Sequence, residues 1–355
     1  MTNIAKLQQK LTAYADALLI SSPVNRRYYT GFNSSAGMLL ITNNASCLII
    51  DSRYYTAAKP VANVDEVLLQ ERLYEQIIAF LKKHGIKTLA VESDFTTISE
   101  LHLLQKNLVE FELITTDEIS KIIANQRAQK SNTELLSIRE AQRITDETFI
   151  HICNYIKLGM TEREIALEIE FYSRRIGSEG ASFPYIVATG SNSAIPHAVP
   201  GNTTLIKGDF LVLDFGCLVD GYASDMTRTV AIGQPDSHKI EVYNLVLKAQ
   251  LAAINAIHAG VRCSEIDKIA RDIIDATEYK GLFGHGLGHS LGLEIHESPS
   301  FSPRCNDSLA ENCVISVEPG IYIPGEFGVR IEDIVVATTN GCKLLTHSPK
   351  NLLIL

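Results

Sequence analysis

Twice in this chain an apolar strand runs directly into a carboxylate. Leu211-Val-Leu-Asp-Phe-Gly216 delivers Asp214, and Val314-Ile-Ser-Val-Glu-Pro-Gly320 delivers Glu318. An acid inside such a run is expensive to bury unpaired, so each strand has to lead its acid to a partner. Each is followed by a turn and a second strand with another acid. Ser224-Asp-Met-Thr-Arg-Thr-Val230 carries Asp225, and Gly328-Val-Arg-Ile-Glu-Asp-Ile334 carries Glu332. Hairpin pairing is expected to set Asp225 beside Asp214. Asp333 faces away from Glu332 and reads as structural. Any one of these acids alone reads as an ordinary turn residue, but the repetition argues against that. A second echo supports it: Gly159 precedes Glu164-Ile165 as Gly260 precedes Glu265-Ile266, each opening an amphipathic helix. Together they predict two related α/β halves within residues 131–355.

Between the acid pairs lies Gly284-His-Gly-Leu-Gly-His-Ser290. His285 and His289 stand four apart, but Gly286 and Gly288 disfavour a helix, so this is not the helical zinc motif. His296 follows in Leu-Glu-Ile-His-Glu297, and His197 lies in the Pro-flanked Ile-Pro-His-Ala-Val-Pro200. Repelling carboxylates lose that cost to a shared cation. Four carboxylates with one or two imidazoles suit Mn²⁺, Co²⁺ or Fe²⁺ better than a thiolate zinc site. Two such ions close together can activate water and polarise a carbonyl.

The rest of the sequence bounds the chain. Its 355 residues suggest two domains. The net charge of −9 argues against a nucleic-acid partner. No apolar run reaches spanning length, so no membrane partner is expected. The N-terminus lacks a secretory core. Seven scattered cysteines without a C-x-x-C pair predict a reducing, cytoplasmic setting.

Within residues 1–120, Ala17–Ser21, Gly37–Thr42, Cys47–Asp51 and Thr88–Glu92 read as buried strands. Leu73–His84 and Ser99–Leu108 read as helices. Asp117 to Lys130, rich in Lys, Gln, Asn and Ala, reads as the connection. Ser131-Asn-Thr-Glu134 and Thr161-Glu-Arg-Glu164 have capping-box spacing and open amphipathic helices.

The ordered set Leu213-Asp-Phe-Gly, Ser224-Asp-Met-Thr-Arg-Thr, His285-Gly-Leu-Gly-His, Glu318-Pro-Gly and Val329-Arg-Ile-Glu-Asp resembles the metallopeptidases that include aminopeptidase P, prolidase and methionine aminopeptidase. Asp16-Ala-Leu-Leu-Ile, Pro23, Asn25, Tyr28 and Thr30-Gly31-Phe32 look like the N-terminal domain that the proline-specific branch shares with creatinase. The resemblance implies an α/β (α+β) chain: a small creatinase-like domain over residues 1–124, then a pita-bread catalytic domain over 125–355 with two pseudo-symmetric halves. It implies two divalent ions, Mn²⁺ or Co²⁺ first and Zn²⁺ or Fe²⁺ as alternatives. Asp214 would bind one ion, His289 and Glu318 the other, with Asp225 and Glu332 bridging.

By the same resemblance, His197, His285 and His296 are active-site histidines outside the ligand set. His197 would position substrate, and His296 would steady the oxyanion. Glu318 would double as acid–base. Arg330 would orient the neighbouring carboxylates and Tyr322, itself expected at the substrate. The implied activity is a dinuclear Xaa-Pro aminopeptidase acting on proline-containing peptides, as a homodimer. A dipeptidase of this kind carries an arginine a few residues after His296. Ser300 stands there, with Arg304 nearby, which favours longer peptides over dipeptides. Xaa-Pro dipeptidase (prolidase) activity is the alternative, with a creatinase-like amidohydrolase behind it. A non-catalytic peptide-binding scaffold is the alternative of another class, and the retained acids argue against both.

Overall fold

The computed structural model describes residues 1–355 and divides into two compact units, residues 1–127 and 128–355. The first unit holds a six-stranded sheet of β1 (Ala17–Ile20), β2 (Met38–Thr42), β3 (Ser46–Ile50), β4 (Glu66–Leu69), β5 (Thr88–Val91) and β6 (Glu112–Ile114), in the order β4-β3-β2-β1-β5-β6. β1 and β3 flank β2 antiparallel, and the outer pairings are parallel. β1 to β3 are buried almost throughout, as their short apolar runs require. The helices are α1 (Asn3–Leu11), α2 (Pro23–Thr30), α3 (Ser52–Ala58), α4 (Leu73–Lys83), α5 (Ile98–Asn107) and α6 (Glu118–Ala128). Helix α6 occupies the stretch whose composition reads as a connection. Ile119 and Ile123, four apart and both buried, give it an apolar stripe that its polar neighbours mask.

The second unit opens with α7 (Asn132–Tyr155) and α8 (Glu162–Arg175), each started by a complete capping box, Ser131 with Glu134 and Thr161 with Glu164. Their buried stripes, including Phe149, Ile152, Ile165 and Ile169, pack on a three-stranded sheet of β7 (Ile186–Thr189), β8 (Phe210–Asp214) and β11 (Thr227–Ala231). A short hairpin, β9 (Leu218–Val219) and β10 (Tyr222–Ala223), joins β8 to β11. Each fully buried apolar side chain here contributes roughly 1.5–3 kcal/mol.

The second half begins with α9 (Ser237–Ala256) and α10 (Cys263–Asp275). It continues through β12 (Gly288–Ser290), β13 (Glu297–Phe301), β14 (Val314–Val317), β15 (Gly320–Ile323), β16 (Phe327–Arg330), β17 (Asp333–Thr338) and β18 (Gly341–Leu344). Five of these strands form one sheet in the order β13-β12-β14-β17-β18, and β15 pairs with β16. Both halves therefore read helix, helix, sheet, matching the echo in the sequence. Glu332 lies in the break between β16 and β17 rather than inside one strand, so the alternation across residues 328–334 spans two. No helix is long and apolar enough to cross a membrane.

Candidate active site

Strands β8 and β11 pair antiparallel with Thr227 opposite Asp214. Asp225 therefore sits just beyond the pairing, beside Asp214, where Phe215 N–H donates to Met226 O at 3.2 Å. In the other half Glu318 follows β14, and its N–H donates to Leu287 O at 2.8 Å. The halves meet at Glu332. Its N–H donates to Thr227 O at 3.1 Å, and Thr227 Oγ1 donates to Glu332 Oε2 at 2.9 Å.

Ligand atoms of Asp225, His289 and Glu332 lie within 4.8 Å of one another. His289 Nε2 is 3.6 Å from Asp225 Oδ2 and 3.5 Å from Glu318 Oε1. Its Nδ1 lies 3.2 Å from Ser290 O. A carbonyl can only accept, so Nδ1 carries the proton. Burial, helped by His296, lowers the ring's pKa to about 4, so the imidazole is neutral. The Nε2 lone pair thus faces two carboxylates.

That arrangement is repulsive as it stands. Burial, then Asp214 and Glu318, push the Asp225 carboxyl well above the usual range. Burial, then Asp225, Glu318 and Asp214, do the same to Glu332. Burial pushes Glu318 up to about 8, opposed by Arg330. Asp214 Oδ1 and Glu332 Oε1 are buried without a hydrogen-bond donor. Orphaned anionic oxygens and an inward imidazole lone pair are the donor set of a divalent cation site, so the residues present fit such ions.

Arg330 ties the acids to their surroundings. Its Nη2 pairs with Asp214 Oδ2, Nε donates to Thr227 Oγ1 at 3.0 Å, and Nη1 donates to Tyr322 OH at 2.9 Å and Pro196 O at 3.3 Å. The Tyr322 hydroxyl in turn lies 2.9 Å from His285 Nε2, and His285 Nδ1 lies 2.8 Å from Gly286 O. By the same argument His285 carries its proton on Nδ1 and accepts from Tyr322. Burial lowers His285 to about 4 as well. Tyr322, expected at the substrate, is 7% exposed and spends its hydroxyl on Arg330 and His285 rather than on the cavity wall.

A cavity of about 600 Å³ opens over this cluster. Its walls include Phe183, Pro184, Tyr185, Pro196, Val199 and Ile295, and His197, His296, Ser300 and Ser302. His197 and His296 are exposed, and the His296 ring meets His289 edge-on at 4.4 Å. Arg304, near Ser300 in sequence, is exposed and not on the wall. Arg330, the one guanidinium there, has every nitrogen engaged.

Two supports are not apparent from the motifs. On α10, Asp267 accepts from Leu287 N–H at 3.0 Å and pairs with Arg271 at 2.8 Å. Arg271 then donates to Phe283 O at 2.8 Å and His285 O at 2.7 Å. This clamp holds the glycine-rich loop that leads into β12, and its signal in the sequence is an i,i+4 acid–base pair. Gly288 is also required: a Cβ there would meet Ser316 O at 2.0 Å. Behind the acids, Arg228 pairs with Asp333 at 2.7 Å, and Asp333 also accepts from Lys350 at 2.6 Å and Gln250 at 2.9 Å. Burial alone would raise the Asp333 carboxyl, but Arg228 and Lys350 outweigh it and hold it below the usual range. Asp333 is thus structural, as its face of the strand suggested. Arg228 lies on the same opposite face of its own strand, a correspondence readable in the sequence.

The chain was compared with known proteins. The profile of Metallopeptidase family M24 matches residues 137–339, and that of the Creatinase/Prolidase N-terminal domain matches residues 3–129. A Bacillus subtilis peptidase, YqhT, is 40% identical over 341 residues, 96% of each chain. A solved Xaa-Pro dipeptidase from Bacillus anthracis superposes with a TM-score of 0.95 at 38% identity, covering 99% of both chains. A solved X-Pro aminopeptidase from Thermotoga maritima gives 0.91 at 35%, covering 99% of this chain and 100% of its own.

Proposed function

The chain belongs to metallopeptidase family M24, and on that premise we propose that it is a dinuclear Xaa-Pro aminopeptidase. The observation that carries this is the convergence of Asp214, Asp225, His289, Glu318 and Glu332 beneath one cavity, with two carboxylate oxygens left without donors. Two divalent ions held by these five residues would supply Lewis acidity that activates water and polarises the scissile carbonyl.

The chain's own groups do the rest. Glu318 takes the proton of the attacking water and returns it to the proline nitrogen as the C–N bond breaks. That return is needed because an unprotonated tertiary-amide nitrogen leaves poorly. His296 donates to the carbonyl oxygen as negative charge builds there, and His197, also on the cavity wall, orients the substrate. Arg330 holds Asp214 in place, and Tyr322 and His285 hold Arg330. Proline has no amide N–H to read, so the aromatic and proline-lined wall of Phe183, Pro184, Tyr185 and Pro196 selects it by shape.

Longer peptides are favoured because no free cation on the cavity wall is available for the carboxylate of a dipeptide. The names of relatives support a second reading, the dipeptidase. A homodimer accompanies either reading and is checked by sedimentation. The test compares Ala-Pro, Ala-Pro-Ala and a Met-Ala peptide with Mn²⁺, Co²⁺ and Zn²⁺, alongside metal analysis. Hydrolysis of Ala-Pro-Ala over Ala-Pro, with two ions per chain, is expected. Preference for Ala-Pro selects the dipeptidase, and cleavage of Met-Ala alone overturns both. At saturating metal, Glu318→Gln should lower kcat at least about a hundredfold, and near-normal turnover would sink its acid–base role.

A further inference from the structure

The Pro-flanked loop that carries His197 leaves β7 at Thr189 and returns to the fold at Gly201. Its crown is exposed: Ile195 is 54% and Val199 85% accessible. Between its ends the segment is seated at three points: Ser193 Oγ accepts from Gly328 N–H at 2.8 Å, Pro196 O accepts from Arg330 at 3.3 Å, and Ala198 packs with Ile186 and Ala188. Its two feet are tied by a side chain on another element. Glu162, the first residue of α8, is 1% exposed. Its Oε1 accepts from Thr189 N–H at 2.9 Å and from Asn192 Nδ2 at 3.0 Å, and its Oε2 accepts from Gly201 N–H at 3.0 Å. One carboxylate therefore holds both feet of the loop. The neighbouring backbone adds to the anchorage, with Glu162 N–H donating to Thr203 O and Arg163 N–H to Gly201 O, both at 3.0 Å.

We propose that Glu162 is a positioning residue for substrate, its carboxylate bracketing residues 189–201 so that His197 stands at a fixed place over the cavity. The assignment rests on the reading of His197 given under Proposed function. A carboxylate offers two acceptor oxygens, and all of the donors reached here are N–H groups, so charge-assisted bonds at both feet need both oxygens. An amide of the same size has one acceptor. Its NH₂ must then face a backbone N–H at one foot, and that foot is released.

Glu162→Gln tests this in the full-length protein, by amide hydrogen exchange and by kinetics. Exchange at Gly201 or Thr189 should rise at least about tenfold, with exchange in β8 and β14 unchanged. KM for Ala-Pro-Ala should rise about tenfold with a smaller change in kcat. In the His197→Ala background the same substitution should add little, because its effect passes through that residue. Asn192→Ala, which removes one of three donors, should move exchange and KM the same way by less, and serves if Glu162→Gln folds poorly. Unchanged exchange at both feet overturns the proposal, as do kinetic losses for Glu162→Gln and His197→Ala that simply multiply. A wild-type protein that cleaves no Xaa-Pro peptide would refute the proposed function instead, while exchange at Gly201 still decides the bracket.

Discussion

Arg228→Met would expose how the candidate metal carboxylates are supported from behind. Arg228 is 1% exposed. It pairs with Asp333 at 2.7 Å and donates to Ser348 O at 2.7 Å, Pro349 O at 3.0 Å, Thr227 O at 2.9 Å and the carbonyl of Glu332. Methionine keeps much of the volume and none of the donors. Breaking one partner out of a buried ion pair costs about 3–5 kcal/mol. Lys350 and Gln250 remain on Asp333, which favours the lower half of that range, about 3–4 kcal/mol. At about 2–4 °C per kcal/mol for a unit of this size, the transition of residues 128–355 should fall by about 6–16 °C. Differential scanning calorimetry at fixed metal concentration reads the shift. A shift under about 2 °C would refute the reasoning.

Other outcomes follow from the same geometry. Tyr322→Phe removes the hydroxyl between Arg330 and His285, and a bond to a charged group is worth about 1.5–3 kcal/mol. Its kcat should fall roughly ten- to a hundredfold with metal content by elemental analysis unchanged; loss of metal would contradict the positioning role. In metal-stripped protein the pH dependence has a definite sign. Glu318 is raised to about 8 from 4.5, so between those values the folded state holds a proton that the unfolded chain has released. Stability is then highest near pH 4.5 and falls by at most about 1.4 kcal/mol per pH unit for that group, less for its 17% side-chain exposure. Asp225 and Glu332 shift the same way. Melting in chelator at pH 5 and pH 8 should show the decline, and both saturating Mn²⁺ and Glu318→Gln should flatten it; a higher melting temperature in chelator at pH 8 would contradict it. Ser300→Arg, opposite His289 in the β12–β13 pairing, should raise the Ala-Pro to Ala-Pro-Ala ratio of kcat/KM about tenfold, since a charged bond to a carboxylate is worth at least that; an unchanged ratio would place the carboxylate elsewhere.

Much of the site is legible in the sequence because metal-type chemistry marks its residues against an apolar background. Asp214 and Glu318 stand at the ends of strands too hydrophobic to carry an unpaired acid, and two helix starts announce themselves through Ser131 and Thr161. Asp333 reads as structural from its face alone. Other features are hidden because their signal lies in a partner far along the chain. Glu162 looks like an ordinary N-terminal helical acid until Thr189, Asn192 and Gly201 are seen around it. Tyr322 reads as a substrate contact until its hydroxyl is found on Arg330. Helix α6 is obscured by polar composition, although Ile119 and Ile123 have helical spacing.

By itself, the sequence determined the residue types, their order and the doubled plan of residues 131–355, because period, capping and the cost of a buried acid are local properties. It also determined that the acids needed neutralising. Only the tertiary structure decided which way each oxygen and ring nitrogen faces: Asp214 towards Arg330, His289 Nε2 towards Asp225 and Glu318, Asp267 and Glu162 towards backbone N–H groups of loops. Those directions depend on contacts between residues widely separated along the chain, set by packing one half against the other, and hydrogen bonds between such partners leave no period in the sequence.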